Sequence, residues 1–402
     1  MTAQVLARTF GATILLALSW GAAAAEPIDT VLQWNEIAQQ TVAPANPLVQ
    51  SRTMAITQLA VLDALKAAQA AAAPPSSFDA AVMTAAHDAL AALQPDAAAA
   101  LDAALAAGLA KIAEGEPKIQ GIAIGRTTAA DLLTRRKGDG SDAKVAYDAA
   151  SGAGAGVWVP TPPKFMPAFA VQWGSVAPFV LKTGDQFRPE APAALDSTRY
   201  IADLHEVLEM GAATSSTRPS AMTDVAKFWV ISAVQGWNPA ARQASLAKKQ
   251  TLLENARTFA LLNVAMADAL VACFDAKYTY KRWRPVTAIQ AGIGDIKATA
   301  DWLPLIVTPP HPSYPSAHAC AAGAAQAVLE RNFGPDGQAL TLTSSAAPGV
   351  TFEYASFAEI ADQIDNARVY GGIHTRQDQE AGRALGQKVG RYVWETSAQT
   401  TP

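Results

Sequence analysis

The sequence predicts a mainly α-helical protein, a bundle of one or two units. Runs such as residues 97–107 are rich in alanine, the best helix former, so much of the 50% hydrophobic content favours helices. Prolines at Pro47, Pro74-Pro75 and Pro95 cut the first third into segments of helical length. No repeat of fixed period and no heptad series is present, which argues against a solenoid or a coiled coil.

Helices are expected at residues 28–42, 51–73, 78–93 and 96–113. Between residues 137 and 163 glycine and proline collect, in Lys137-Gly138-Asp139-Gly140 and again over 152–163. This stretch reads as a long exposed connection between an N-terminal helical region, 26–150, and a second bundle, 151–402. Helices resume at 197–212, 221–235 and 245–274, with later ones at 316–331, 357–370 and 379–394.

A chain of 402 residues can bury one large core or two smaller ones. Its net charge of −4 provides no overall positive field for nucleic acid or acidic lipid, so any anion site must be local. Arg8, an apolar stretch over 10–18 and Ala23-Ala24-Ala25 before Glu26 fit a secretory signal peptide spanning 1–25. The mature protein is therefore expected in the periplasm or the medium. The apolar stretch is shorter than the roughly 20 residues a membrane span needs, and no later stretch reads as one. Two cysteines, Cys273 and Cys320, exclude a disulfide scaffold and a cysteine-ligated zinc site. Free thiols or one disulfide between them both remain open.

Three stretches of the last third concentrate polar residues in apolar surroundings. The first runs from Lys277 to Pro285 and puts four cations, Lys277, Lys281, Arg282 and Arg284, in eight residues, and Pro285 should end or bend a helix. Alone it would be a solvated basic turn. The second is His311-Pro312-Ser313-Tyr314-Pro315-Ser316-Ala317-His318, in which Pro315 and Ser316 make a plausible helix start. Free N–H groups and the helix dipole favour an anion there, with His318 in the first turn to exchange protons. An ordinary serine cap with a surface histidine is the plain alternative.

The third stretch runs from Arg368 through Gly371-Gly372 to His374 and Asp378. Four residues apart, His374 and Asp378 share a face if helical, and a carboxylate there fixes the imidazole tautomer and raises its basicity, as suits a nucleophile or a metal ligand. The glycine pair would let the backbone approach an anion or simply form a loop. Three of the five histidines, His311, His318 and His374, fall in these stretches beside fixed cations. Burying Lys277, Arg284 and Arg368 together would be costly without a multiply charged anion, which points to phosphate or a phosphate mimic.

Together the stretches resemble the three motifs of the type 2 phosphatidic acid phosphatase superfamily, which includes bacterial acid phosphatases and vanadium-dependent haloperoxidases. Lys277 with Arg284-Pro285 matches the first, Pro315-Ser316-Ala317-His318 the second, and Arg368 with His374 and Asp378 the third. Ala317 stands where the family usually has glycine and Ala367 where serine usually precedes the arginine. The stretches 156–163, 172–174, 184–189, 228–229 and 237–238 look like those of secreted bacterial haloperoxidases, so that branch looks nearer.

The resemblance implies a helical bundle of the vanadium haloperoxidase and acid phosphatase type. It implies vanadate as cofactor, with His374 as vanadium ligand and Lys277, Arg284, Ser316, Arg368 and the Ala317 N–H on its oxygens. Hydrogen peroxide and halide would be the substrates, with Lys277 polarising the peroxide, His318 moving protons and hypohalous acid as product. In the alternative, an acid phosphatase without cofactor, His374 would attack the phosphorus of a phosphate ester, Asp378 would orient it, and His318 would protonate the leaving alcohol. His311 occupies a position where bromide-oxidising relatives have histidine and chloride-oxidising ones tend to have an aromatic residue, which suggests bromide or iodide. Relatives often form dimers, and a homodimer remains open.

Overall fold

The computed structural model describes residues 29–148 and 154–399. The expected signal peptide and Gly152-Ala153 lie outside them.

The chain is helical, as expected. Among the described residues it forms α1 (Thr30–Val42), α2 (Pro47–Ala70), α3 (Phe78–Leu93), α4 (Ala98–Leu109), α5 (Glu116–Arg136), α6 (Thr198–Met210), α7 (Ser220–Phe228), α8 (Ala233–Lys248), α9 (Leu252–Tyr280), α10 (Pro285–Ala291), α11 (Ala317–Phe333), α12 (Phe357–Tyr370) and α13 (Arg376–Gln399). An antiparallel hairpin, β1 (Asp336–Thr343) and β2 (Thr351–Ser356), joins α11 to α12.

Side-chain caps set several of these boundaries: Asp29, Asn46, Ser232, Thr251, Ser316 and Ser356 each accept from a backbone N–H of the first turn of the helix that follows. Two segments expected as single helices are broken by such caps. Residues 221–235 split at 229–232, where Ser232 starts α8, and 245–274 splits where Lys249 turns left-handed and Thr251 closes a capping box with Glu254. Pro285 does not end a helix but opens α10 at its first position, where its missing N–H costs nothing.

One continuous hydrophobic core runs from Val31 of α1 to Val393 of α13. Helix α9 lies at its centre, packed against α2, α11 and α13. Contrary to the sequence reading, α9 is long and apolar enough to cross a membrane by length and composition; its most apolar window is 94% buried, so its apolar faces are explained by the protein interior. Helices α11 and α13 approach unusually closely. Gly382, Gly386 and Gly390 lie one turn apart along α13, and a Cβ on any of them would come within 2.0–2.7 Å of the Ser316, Cys320 or Ala324 carbonyl oxygen of the α11 strip. This contact fixes the start of α11 against the start of α13, where two of the three motifs lie.

The connection before α6 is less exposed than its composition suggests. Trp158 and Thr161 are buried, the Trp158 N–H donates to Lys281 O and the Trp283 N–H donates to Gly156 O, so the segment is strapped onto the turn between α9 and α10.

Candidate functional site

The second and third motifs meet at one cavity of about 400 Å3, with Lys277 and Arg284 of the first behind its wall. His311, Ala317, His318, Arg368 and His374 line it, together with apolar residues from α2, α8 and α9 and from the loops before α6 and α11.

His374 lies in the turn before α13, not on a helix face shared with Asp378 as the spacing suggested. The two still pair, His374 Nδ1 to Asp378 Oδ2 at 2.9 Å, because Asp378 also helps to cap α13. The Thr375 N–H donates to Asp378 Oδ2 at 3.1 Å and the Asp378 N–H to Thr375 Oγ1 at 3.3 Å, the reciprocal bonds of a capping box. The Ser313 hydroxyl donates to the same carboxylate oxygen at 2.5 Å and stands 3.4 Å from His374 Nδ1.

A carboxylate only accepts and a guanidinium only donates, so the partners assign the tautomer of His374. Nδ1 carries the proton toward Asp378. Nε2 carries the lone pair and faces Arg284 Nη1 at 3.1 Å. Arg284 also donates through Nε to His311 O and through Nη1 to Ile373 O, both at 2.8 Å, while Nη2 reaches His311 Nδ1 at 3.1 Å.

Lys277 and Arg284 are wholly buried and Arg368 nearly so, so the first stretch is not the solvated turn it would be if taken alone. Lys277 Nζ donates to Pro312 O and Ser313 O, each at 2.8 Å, and Arg368 Nη1 donates to Trp229 O at 2.8 Å. Burial is the leading influence on all three, pushing Lys277 down to about 8, Arg284 to about 9 and Arg368 to about 10. Their partners are almost all neutral carbonyls and ring nitrogens. Asp378, the carboxylate nearest this centre, is already shared by His374, Ser313 and Thr375, and Arg368 Nε is buried with no partner among the described residues.

The start of α11 forms as expected, with Ser316 as its cap. The Ser316 N–H donates to Asp378 O at 2.9 Å and its hydroxyl accepts from the Ala319 N–H at 3.5 Å. Of the four unpaired N–H groups with which a helix opens, those of Ala317 and His318 remain for a ligand, and both residues line the cavity. His318 Nε2 is 3.1 Å from Ile231 O, so it carries a proton and Nδ1 is left to accept one. Burial first, then the neighbouring cations, hold His311, His318 and His374 well below the ordinary histidine range.

Lys277, Arg284 and Ser316 do not line the cavity; they stand behind His374, His311 and the first turn of α11. Gly371 and Gly372 are not at the cavity either. A Cβ on Gly372 would lie 2.3 Å from Gly211 O, and its φ of +77° favours glycine, so the pair is a close crossing of two chain segments. Cys273 and Cys320 are free, buried and in mutual contact below the site. Sequence reasoning missed Ser313, although it stands inside the second stretch, just before its motif. It also missed the carbonyls of Trp229 and Ile231, which become available only because the helix expected over 221–235 breaks there.

The fold has relatives among known structures. Residues 257–401 match the family described as VCPO second helical-bundle domain. The fold is similar to the crystal structure described as the first bacterial vanadium-dependent iodoperoxidase, with a TM-score of 0.77 and 25% sequence identity, covering 92% of this chain and 97% of that one. It is also similar to the apo and holo forms of a bacterial vanadium-dependent chloroperoxidase, each with a TM-score of 0.71 and 16% identity, covering 89% and 91% of this chain and 94% and 96% of those. A search of curated protein sequences finds no match. Residues 257–401 are thus similar to the VCPO second helical-bundle domain, and the chain has the fold of the vanadium-dependent haloperoxidases.

Proposed function

We propose that the protein is a vanadate-dependent haloperoxidase that uses hydrogen peroxide to oxidise halide to hypohalous acid at the cavity of His374. The observation that carries this reading is the set of buried cations, Lys277, Arg284 and Arg368, gathered around one neutral histidine and faced by the single negative charge of Asp378, which leaves positive charge in excess. Such a centre fits a multiply charged oxyanion. The unpartnered Arg368 Nε and the remaining N–H groups of the first turn of α11 are donors for its oxygens.

In this reading His374 would ligate vanadium through Nε2, Arg368 and the Ala317 N–H would hold vanadate oxygens from the cavity wall, and Lys277, Arg284 and Ser316 would complete that hold from behind it. Bound vanadate supplies a Lewis acid that activates hydrogen peroxide toward halide without changing its own oxidation state. Asp378 and Ser313 keep the His374 proton on Nδ1 and so keep the Nε2 lone pair available. His318, neutral because it is buried, takes a proton at Nδ1 and returns it to a departing oxygen. Lys277 lends its positive charge to the peroxide.

Bromide or iodide is the proposed halide. In support, His311 stands in the cavity against Arg284, and the similarity to the iodoperoxidase is higher than that to the chloroperoxidase. Export is proposed from residues 1–25, and a mature protein beginning near Glu26 by mass spectrometry is the expected result.

The deciding experiment reconstitutes the protein with vanadate and compares peroxide-dependent bromination of a hydrophilic reporter with hydrolysis of a phosphate monoester in the vanadate-free protein. Bromination that depends on both vanadate and peroxide supports the haloperoxidase. Phosphate release with a trapped phosphohistidine at His374, and no bromination, would replace it with the phosphatase.

A further inference from the structure

Arg368 and His318 take their backbone acceptors from one short break between α7 and α8. Arg368 Nη1 donates to Trp229 O at 2.8 Å, and His318 Nε2 stands 3.1 Å from Ile231 O. These carbonyls are available because α7 ends at Phe228 and α8 starts only at Ala233. The Nη1 contact sets how the guanidinium fork is turned, so the place of the Trp229 carbonyl decides where the unpartnered Nε of Arg368 points.

Trp229 is in turn held by groups outside the three motifs. Its indole N–H donates to Gln363 Oε1 at 2.7 Å, and the Tyr354 hydroxyl of β2 donates to the same oxygen at 2.5 Å. An indole N–H only donates, so the Gln363 amide must present its oxygen to it. Gly236 of α8 lies against the indole, where a Cβ would come within 2.7 Å of Trp229 Cζ3. Gln363 and Arg368 both belong to α12, which therefore grips Trp229 at its indole and at its carbonyl. The buried indoles of Trp158, Trp237 and Trp302 have no partner for their N–H among the described residues, so packing in this interior does not by itself demand such a bond. Resting on the haloperoxidase reading, we propose that Gln363 is a positioning residue for the oxyanion centre: through the Trp229 indole it fixes the break between α7 and α8, and so aims Arg368 and orients His318.

The test titrates vanadate and inorganic phosphate by equilibrium dialysis and records bromination at saturating vanadate. Gln363→Met keeps the length of the side chain but offers only a weak acceptor, and Trp229→Phe removes the indole N–H. Each should weaken both anions about tenfold, the lower end of what loss of an outer partner brings, and should lower kcat at saturating vanadate. Gln363→Glu keeps the acceptor oxygen and should return both measurements to near wild type. Tyr354→Phe removes the second hydrogen bond to that oxygen, so it should lower the melting temperature with anion affinity unchanged, which separates positioning from stability. Wild-type affinity in Gln363→Met, an equal loss in Gln363→Glu, or an equal loss in Tyr354→Phe overturns the proposal. If the wild type binds either anion but brominates nothing, the haloperoxidase reading falls and the affinities still decide the role of Gln363. If it binds neither anion, both fall.

Discussion

Arg284 Nη1 lies 3.1 Å from His374 Nε2, so a buried guanidinium faces the nitrogen proposed to ligate vanadium. That nitrogen is the lone-pair side of the ring, since the ring's one N–H proton is on Nδ1 and is donated to Asp378. Loading the site must exchange this contact for one with the oxyanion.

It follows that the two cavity histidines should fail differently. His374→Ala removes the proposed ligand and should lower vanadate affinity by more than the about 10–100-fold that loss of an outer partner brings. His318→Ala should leave affinity nearly unchanged and lower kcat about 10²–10⁴-fold, the range of general acid–base catalysis. Equilibrium dialysis with vanadate, paired with bromination kinetics, separates the two; equal loss of affinity would show the roles to be misassigned.

Asp378 acts on His374 and on the start of α13 together. Asp378→Asn should reduce vanadate affinity about 10–100-fold and lower the melting temperature by loosening the cap. Ser313→Ala removes only the outer hydroxyl, so its melting temperature should stay nearer wild type while affinity falls less than in Asp378→Asn. If Ser313→Ala behaves like Asp378→Asn in both measurements, the hydroxyl and not the carboxylate organises the turn.

His311→Phe keeps a ring beside Phe274, whose centroid lies 5.2 Å from that of His311, but removes the nitrogen facing Arg284. Bromide turnover should fall about tenfold relative to chloride, the size of one hydrogen bond to a charged group. An unchanged halide ratio and pH profile would take His311 out of the chemistry.

The cavity histidines also set a pH dependence. Because His311, His318 and His374 are held below 6.5 in the folded chain, the unfolded chain takes up protons first as pH falls. Stability of the vanadate-free protein should therefore drop from pH 6.5 downward. His87 works the other way. Chiefly through its hydrogen bond to Asp88, and also through Asp102, its proton is held more tightly than usual, so its contribution is full below pH 6.5 and is lost as pH rises through its raised value. In chemical denaturation across pH 5–8, His87→Gln should steepen the acid-side loss. A flat stability profile in wild type would mean that the cavity histidines are protonated in the folded chain.

The motifs were legible because Lys277, Arg284, Ser316, His318, Arg368, His374 and Asp378 are polar residues in apolar surroundings at fixed spacing. Residues 78–93 and 357–370 became helices at the expected bounds, set off by proline or serine on the N-terminal side. Helix α5 was missed because Gly121 and Gly125 weaken its helical pattern, yet each lies where a Cβ would run into α3 or the turn before it. The hairpin was missed although Leu340 and Leu342 alternate with exposed threonines, a period of two that the helical surroundings concealed. The apolar cavity wall was not legible at all, because Leu48, Phe169 and Ile306 come from distant stretches that only the fold assembles.

A core that reaches from Val31 to Val393 has a consequence for biosynthesis. On the ribosome, α1 to α9 emerge long before α13, yet α9 stays uncovered on one side until α13 arrives, and Ser316 lacks the Asp378 carbonyl that receives its N–H. Native contacts this far apart in sequence close late and slowly. A chain halted before α13 would hold an exposed apolar helix and half a site, a form that chaperones would retain and proteases would remove.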